Sequence, residues 1–267
     1  MREYLKIWLI LFVGLVAMTL MSFAGGLDIG PISMKASALA DILTKPVASD
    51  APANTTENSL HECADSVAAD STVVAQPDTA AHTILIFGDS MLEGLNSRLG
   101  AYAKANGHKL YSVIWYSSTT KVWGENIDTL RMHMRQFKPD YVFVSLGANE
   151  LFVRDIISQR GKYVDAIIAE LGQIPYIWIG PPNWKKDTGI NELLQKKLPK
   201  GTFFLSDGMH FDRAKDGAHP TRKSAAFWMD SVARWMALHA AHPIRLEKPD
   251  SGVTGRPLKV IIHKPLQ

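Results

Sequence analysis

The chain has only one cysteine, Cys63, among its 267 residues. No disulfide can form within it, so a folded domain here must be held by its own apolar core even in an oxidising compartment. Its nine histidines show none of the paired spacing with cysteines or carboxylates that builds a zinc site, and no metal or other cofactor is expected. Neither sign of charge dominates. A net charge of +3 gives no field that would gather a polyanion, so nucleic acid is not expected as a partner. What remains is an ordinary globular composition, 46% hydrophobic and 21% charged, with length enough for one medium domain and its appendages.

Charge is also missing locally. From Ile7 to Ala24 the run IWLILFVGLVAMTLMSFA carries none, and at about 1.5 Å per residue it nearly spans a hydrocarbon core of about 30 Å. Arg2 and Lys6 precede it and the next basic residue is Lys35, an asymmetry that keeps the N-terminus cytoplasmic and sends the rest outward. Residues 1–24 therefore read as a transmembrane anchor or, given the small residues around Ser22-Phe23-Ala24, a cleaved signal segment. A bacterial inner-membrane protein with a periplasmic body fits the first reading, and a secreted periplasmic protein the second. Residues 25–81, rich in Ala, Ser, Thr and Asp, have no sustained hydrophobic period and read as a tether.

From residue 82 the pattern changes. Short apolar runs, HTILIFG, KLYSVIWY, YVFVSLG, PYIWIG and TFFLS, alternate with helix-compatible stretches at Met91–Asn106, Glu125–Phe137, Lys162–Leu171 and Thr221–Ala240. The segment after PYIWIG reads as a polar loop. Such alternation predicts an α/β fold with a five-stranded parallel sheet over residues 82–242, and residues 243–267 read as a peripheral tail. In an open parallel sheet the ligand crevice lies beyond the carboxyl ends of the strands. Those positions hold Gly88-Asp89-Ser90, Ser117-Ser118-Thr119-Thr120 and Gly147-Ala148-Asn149-Glu150, with Asp216-Gly217-Ala218-His219 late in the chain.

A serine hydroxyl needs a base within hydrogen-bond reach to become a nucleophile, and the base needs an acceptor on its other nitrogen. Ser90, His219 and Asp216 supply these types, and one short loop can deliver the last two. His210 in DGMHF is the competing histidine, but it lacks the Pro-Thr helix start that follows His219. Attack on an ester also creates an oxyanion; losing one preorganised donor to it costs about 2.7–4 kcal/mol in the barrier. The Ser90 N–H and the Asn149 side-chain amide are candidate donors.

With IFGDSML, LGANE and DGAHP in this order, residues 82–241 resemble the SGNH hydrolase superfamily. The resemblance implies a flavodoxin-like three-layer α/β/α sandwich, Ser90 as nucleophile, Asp216 and His219 as its partners, and Ser90, Thr120 and Asn149 around the oxyanion. It departs in two places. Where the family has an oxyanion-hole glycine this chain reads SSTTKVWG, with Thr120 or Thr119 nearest and Gly124 further on, and Glu150 stands where many relatives have Asp, a change expected to matter little.

Near the strand ends lie Trp115, Tyr116, Trp123 and Trp184. Trp123 and Trp184 are candidates for packing on sugar faces, whereas Trp115 is expected in the core. Lys185 and Lys186 beside Trp184 carry the charge to meet an acidic glycan, the alternative being two solvated loop lysines. The expected activity is a serine esterase acting on O-acyl groups of an exported polysaccharide or peptidoglycan. No long apolar lid favours a lipase. The alternatives are an O-acyltransferase working with a membrane-bound O-acyltransferase partner, which proteins of similar layout do, and a non-catalytic glycan-binding protein.

Overall fold

A computed structural model of the chain describes residues 76–250 and 252–266, together with the backbone of two short strands that pair antiparallel, β1 (Leu27–Ile29) and β2 (Ile32–Met34). The apolar run at 7–24 and most of the segment read as a tether lie outside the described residues. Among the described residues no helix is long and apolar enough to cross a membrane.

The apolar runs become parallel strands. These are β3 (Thr83–Gly88), β4 (Lys109–Trp115), β5 (Tyr141–Ser145), β6 (Tyr176–Ile179), β7 (Phe203–Phe204) and β8 (Lys259–His263), in the spatial order β7-β6-β5-β3-β4-β8. The helices are α1 (Leu92–Ala105), α2 (Thr120–Glu125), α3 (Ile127–Phe137), α4 (Ile156–Leu171), α5 (Ile190–Lys197) and α6 (Arg222–His239). The α/β/α sandwich expected from the sequence is present, with six strands instead of five.

Strand order explains the layers. The chain steps from β3 to β4, then back across β3 to β5 and outward to β7, and finally returns to β8. Right-handed crossovers place helices on opposite faces for opposite directions of travel. The core accordingly divides in two. Ile84 and Ile86 of β3 pack with Leu95 and Leu99 of α1 and with Trp228 and Met236 of α6. Leu85 and Phe87 turn the other way, toward Trp123 of α2, Leu130 of α3, Val164 of α4 and Leu193 of α5. Both faces of the central strands are covered, which is why they read as continuous apolar runs without alternation. Arg98 Nε donates to Asp230 Oδ1 at 2.6 Å and the Tyr102 hydroxyl donates to the same oxygen at 3.0 Å, fastening α1 to α6 within the first layer.

Three readings of the sequence need correction. The tail is not peripheral: its KVIIH segment is the edge strand β8, paired with β4 from Tyr111↔Lys259 to Trp115↔His263. Three further bonds fix it there, from Trp115 Nε1 to Lys264 O at 2.9 Å, from Tyr116 N to His263 O at 3.1 Å, and between the Nε2 atoms of His133 and His263 at 2.9 Å. The polar stretch after β6 contains α5, whose Ile190, Leu193 and Leu194 are buried at helical spacing. At the other boundary, residues before 82 join the domain, since Asp78 N donates to Pro243 O and Arg245 N to Asp78 O, both at 2.8 Å.

Ending the chain at Leu258 should remove the β4 edge partner and orphan the Trp115 indole N–H. The expected loss is about 2 kcal/mol or more, or a fall in Tm of roughly 4–8 °C, read by thermal unfolding against the full chain.

Candidate active site

The site begins with a glycine that admits no side chain. A Cβ on Gly88 would lie 1.9 Å from Ser145 O, so β3 and β5 can meet here only with glycine at that position. Immediately beyond, Asp89 N donates to Ser145 O at 3.0 Å, and Asp89 Oδ1 accepts the Met91 N–H at 2.9 Å. This turn starts α1 and presents Ser90 at the helix entrance. No acceptor for the Ser90 N–H occurs among the described residues, so it remains available to an oxyanion, and the positive end of α1 adds to it.

Asp216 and His219 come from a tight loop ahead of α6. Ala214 N donates to His219 O at 2.8 Å and Thr221 N to Asp212 O at 2.8 Å, closing residues 212–221 on themselves. Ser224 Oγ accepts the Asp212 N–H at 2.9 Å, while Thr221 caps α6 by accepting from Ser224 N at 3.2 Å. Within this loop the Asp216 carboxylate divides its work. Oδ1 accepts the N–H groups of Ala218 and His219 at 2.9 and 3.0 Å, and Oδ2 lies 2.7 Å from His219 Nδ1. Across the ring, His219 Nε2 lies 2.8 Å from Ser90 Oγ. A carboxylate can only accept, so Nδ1 carries the proton and the Nε2 lone pair faces the serine hydroxyl. The backbone donors of Ala218 and His219, then the His219 ring, hold Asp216 down at a pKa of about 2. It is therefore ionised at neutral pH. Ser90, Asp216 and His219 are thus brought together as the sequence predicts, and His210 takes no part in these bonds.

Asn149 follows β5, as the sequence order requires. Its Nδ2 donates to Ser118 O at 2.8 Å, and the second amide hydrogen remains for an oxyanion. Thr120 does not fill its predicted role. Its N–H donates to Glu150 Oε1 at 2.5 Å and its hydroxyl to the same oxygen at 2.6 Å, so this amide is already occupied. Thr119 is the N-cap of α2, accepting from Val122 N at 3.2 Å, and Gly124 is a packing glycine whose Cβ would meet Tyr163 at 2.7 Å. The loop still contains a left-handed turn, but Ser117 adopts it at φ 57°, a conformation costing a non-glycine residue about 1–2 kcal/mol. Trp123 is likewise misplaced by sequence reading. It is fully buried against Phe87 and Trp115, its Nε1 donating to Ser118 Oγ at 3.0 Å, and no substrate reaches it. Trp115 is in the core as expected.

Trp184 remains at the surface of the site, half-buried, with Nε1 donating to Ala148 O at 3.2 Å, one residue from Asn149.

Three residues matter more than their sequence context suggested. Glu150 is completely buried, and its two bonds to Thr120 tie the loop after β4 to the loop after β5. Burial raises its pKa despite those donors. Asp89 is also fully buried; desolvation, more than the neighbouring Glu150 charge, pushes it up to about 7. Arg213 sends Nη1 to Pro182 O and Ala218 O at 3.1 and 2.8 Å and Nη2 to Asn183 O at 2.7 Å. One guanidinium therefore locks the histidine loop to the loop after β6, and burial among carbonyls lowers its pKa. No local pattern marks an arginine for that task, whereas the directly preceding Gly-Asp turn could have marked Asp89.

No family model matches the sequence, and no curated protein matches it. Solved structures similar to the chain include the psychrotrophic esterase EstA from Pseudoalteromonas sp., at 18% identity and TM-score 0.40 over 58% of this chain and 98% of that one. A family 3 carbohydrate esterase from Clostridium thermocellum is similar at 17% identity and TM-score 0.44, over 58% and 94% of the two chains. A GDSL-like lipase from Bacteroides thetaiotaomicron is similar at 15% identity and TM-score 0.39, over 61% and 91%.

Two outcomes test the site. Asp216→Asn keeps a polar group of the same size but cannot anchor the required tautomer, and should lower kcat for ester hydrolysis by about 10²–10⁴-fold, measured at saturating ester. Asp89 bears on stability. Between about pH 4 and 7 it is ionised in the unfolded chain and protonated in the folded one, so the folded state holds the extra proton and stability falls as pH rises, by up to about 1.4 kcal/mol per pH unit. Asp89→Asn should flatten that slope in denaturant titrations across the window, and an unchanged slope would remove Asp89 as its source.

Proposed function

We propose that this chain is a serine esterase of the SGNH type that removes O-acyl groups, O-acetyl in particular, from an exported polysaccharide or peptidoglycan. The observation that carries the reading is the continuous line Ser90 Oγ, His219 Nε2, His219 Nδ1, Asp216 Oδ2, with separations of 2.8 and 2.7 Å across the imidazole. In this mechanism Ser90 Oγ attacks the ester carbonyl carbon as its proton passes to Nε2. The oxyanion is met by the Ser90 N–H and the Asn149 amide, and Asp216 stabilises the imidazolium. The carbon–oxygen bond to the sugar then breaks, the imidazolium proton going to the departing alkoxide. Water, deprotonated by Nε2, attacks the acyl-serine and releases the carboxylic acid with Ser90 restored.

The glycan part of the reading is supported by the openness of the triad. The His219 and Asp216 side chains are 38% and 52% exposed, an arrangement that admits an ester carried on a polymer. The apolar N-terminal run supports an exported protein, with the catalytic domain in the periplasm and the inner membrane as its attachment when that run is retained. The same openness favours one second reading. A glycan hydroxyl has the same access to the acyl-serine as water, which would make the chain an O-acyltransferase accepting acyl groups by way of a membrane-bound partner. The assembled triad weighs against a purely non-catalytic binding protein.

The experiment incubates the purified full chain with p-nitrophenyl acetate, alone and with glycan acceptors, and follows nitrophenolate, free acetate and acetylated glycan. Free acetate is the expected product, with acetylated glycan marking transfer instead. Ser90→Ala should lower the rate by about 10⁴-fold or more; undiminished activity in that variant would sink the mechanism.

A further inference from the structure

The loop that carries Asn149 continues into an exposed aromatic residue. Phe152 is 59% exposed, although its neighbour Leu151 is buried. A free-standing phenyl ring is not unusual on its own, but this one meets two residues of the loop after β6. Its ring packs edge-on to Trp184 with centroids 5.6 Å apart. The Lys185 ammonium stands over both rings, 4.4 Å from the Phe152 centroid and 4.9 Å from that of Trp184.

The cluster is held rigidly and close to the oxyanion side of the site. Trp184 Nε1 is bonded to Ala148 O, the Thr188 hydroxyl donates to Glu150 O at 3.2 Å, and Arg213 grips the carbonyls of Pro182 and Asn183. Two of these bonds end on residues flanking Asn149, so the platform moves with the oxyanion donor.

Its charge is uncompensated. Lys185 is exposed and forms no ion pair among the described residues. The nearest carboxylate in sequence, Asp187, is committed elsewhere, with Oδ1 accepting from Gly189 N and Ile190 N at 2.8 and 2.9 Å and Oδ2 from Asn191 N at 3.2 Å at the start of α5. The ammonium has three hydrogens, and the rings engage it only through their faces. An apolar acyl chain would leave that cation without a counter-charge. A pyranose ring bearing a carboxylate suits both parts, with its C–H face on the aromatic ring and its carboxylate on Lys185.

We infer that Phe152, Trp184 and Lys185 form a subsite for an acidic sugar ring of the acylated glycan, selecting polyuronate-type substrates over neutral ones. This deepens the esterase reading and rests on it for the role of the bound sugar. Binding itself is measurable without turnover, which keeps the two apart.

The test titrates the full chain, and its Lys185→Gln and Phe152→Ala variants, with oligogalacturonate and with neutral xylo-oligosaccharide, following tryptophan fluorescence. The wild-type chain should bind oligogalacturonate at least about ten-fold more tightly than the neutral sugar. Lys185→Gln should abolish that preference, and Phe152→Ala should weaken both by about ten-fold. In parallel, the ratio of kcat/KM for acetylated oligogalacturonate to that for p-nitrophenyl acetate should fall about ten-fold in each variant. Equal affinity for the two sugars, or variants that bind as the wild type does, would overturn the subsite. Absence of Ser90-dependent hydrolysis with the binding preference intact would overturn the esterase reading alone.

Discussion

The functional end of this molecule depends on two strands meeting with nothing between them. Gly88 lies so close to Ser145 O that any Cβ would overlap it, and the adjacent Asp89 N–H is bonded to that same oxygen. This contact lies where the strand order reverses, with β4 on one side of β3 and β5 on the other. Neighbouring loops diverge at such a point and leave a crevice. Here the strand ends are pinned, so the turn that holds Ser90 and the loop that holds Asn149 start from adjacent strand ends. The Asp89 side chain continues the arrangement underneath, trading its hydration for hydrogen bonds to backbone amides.

Around that fixed point the site is a set of loops tied in pairs. Glu150 and Asn149 are adjacent yet hold the loop after β4 by different groups, one accepting from Thr120 and the other donating to Ser118 O. Arg213 joins the histidine loop to the loop after β6 through three carbonyls. Each tie is buried or half-buried, where an unpaired partner is costly. The geometry is thus overdetermined by its supports, which is how Ser117 can be kept in a left-handed conformation without being glycine.

The candidate site residues were legible because chemistry restricts such residues strongly. A serine after a strand, an asparagine after another and an Asp-x-x-His before a helix are local patterns, and the folded chain brings the serine, aspartate and histidine together. The layers were legible too, since runs such as ILIF and VFVS are buried on both faces and have no other economical home. What escaped was decided by partners far away in sequence. Thr120 presents an N–H of the right kind, but whether that N–H is free depends on a carboxylate thirty residues later. Trp123 has the same composition argument as Trp184, and only packing against Phe87 and Trp115 separates the buried indole from the half-buried one. The strand KVIIH is short and follows a Pro-containing stretch, so its β character emerges only when β4 offers an edge to pair with. α5 was hidden by its charges, although Ile190, Leu193 and Leu194 carry the helical period.

That late strand bears on how the protein is made. β4 and β8 pair across about 150 residues of intervening chain, a closure that local structure cannot hasten. During synthesis, β3, β4 and β5 emerge well before His263 is available to accept from Tyr116 and support the turn beside it. The sheet therefore reaches its full width only when the final segment docks on β4.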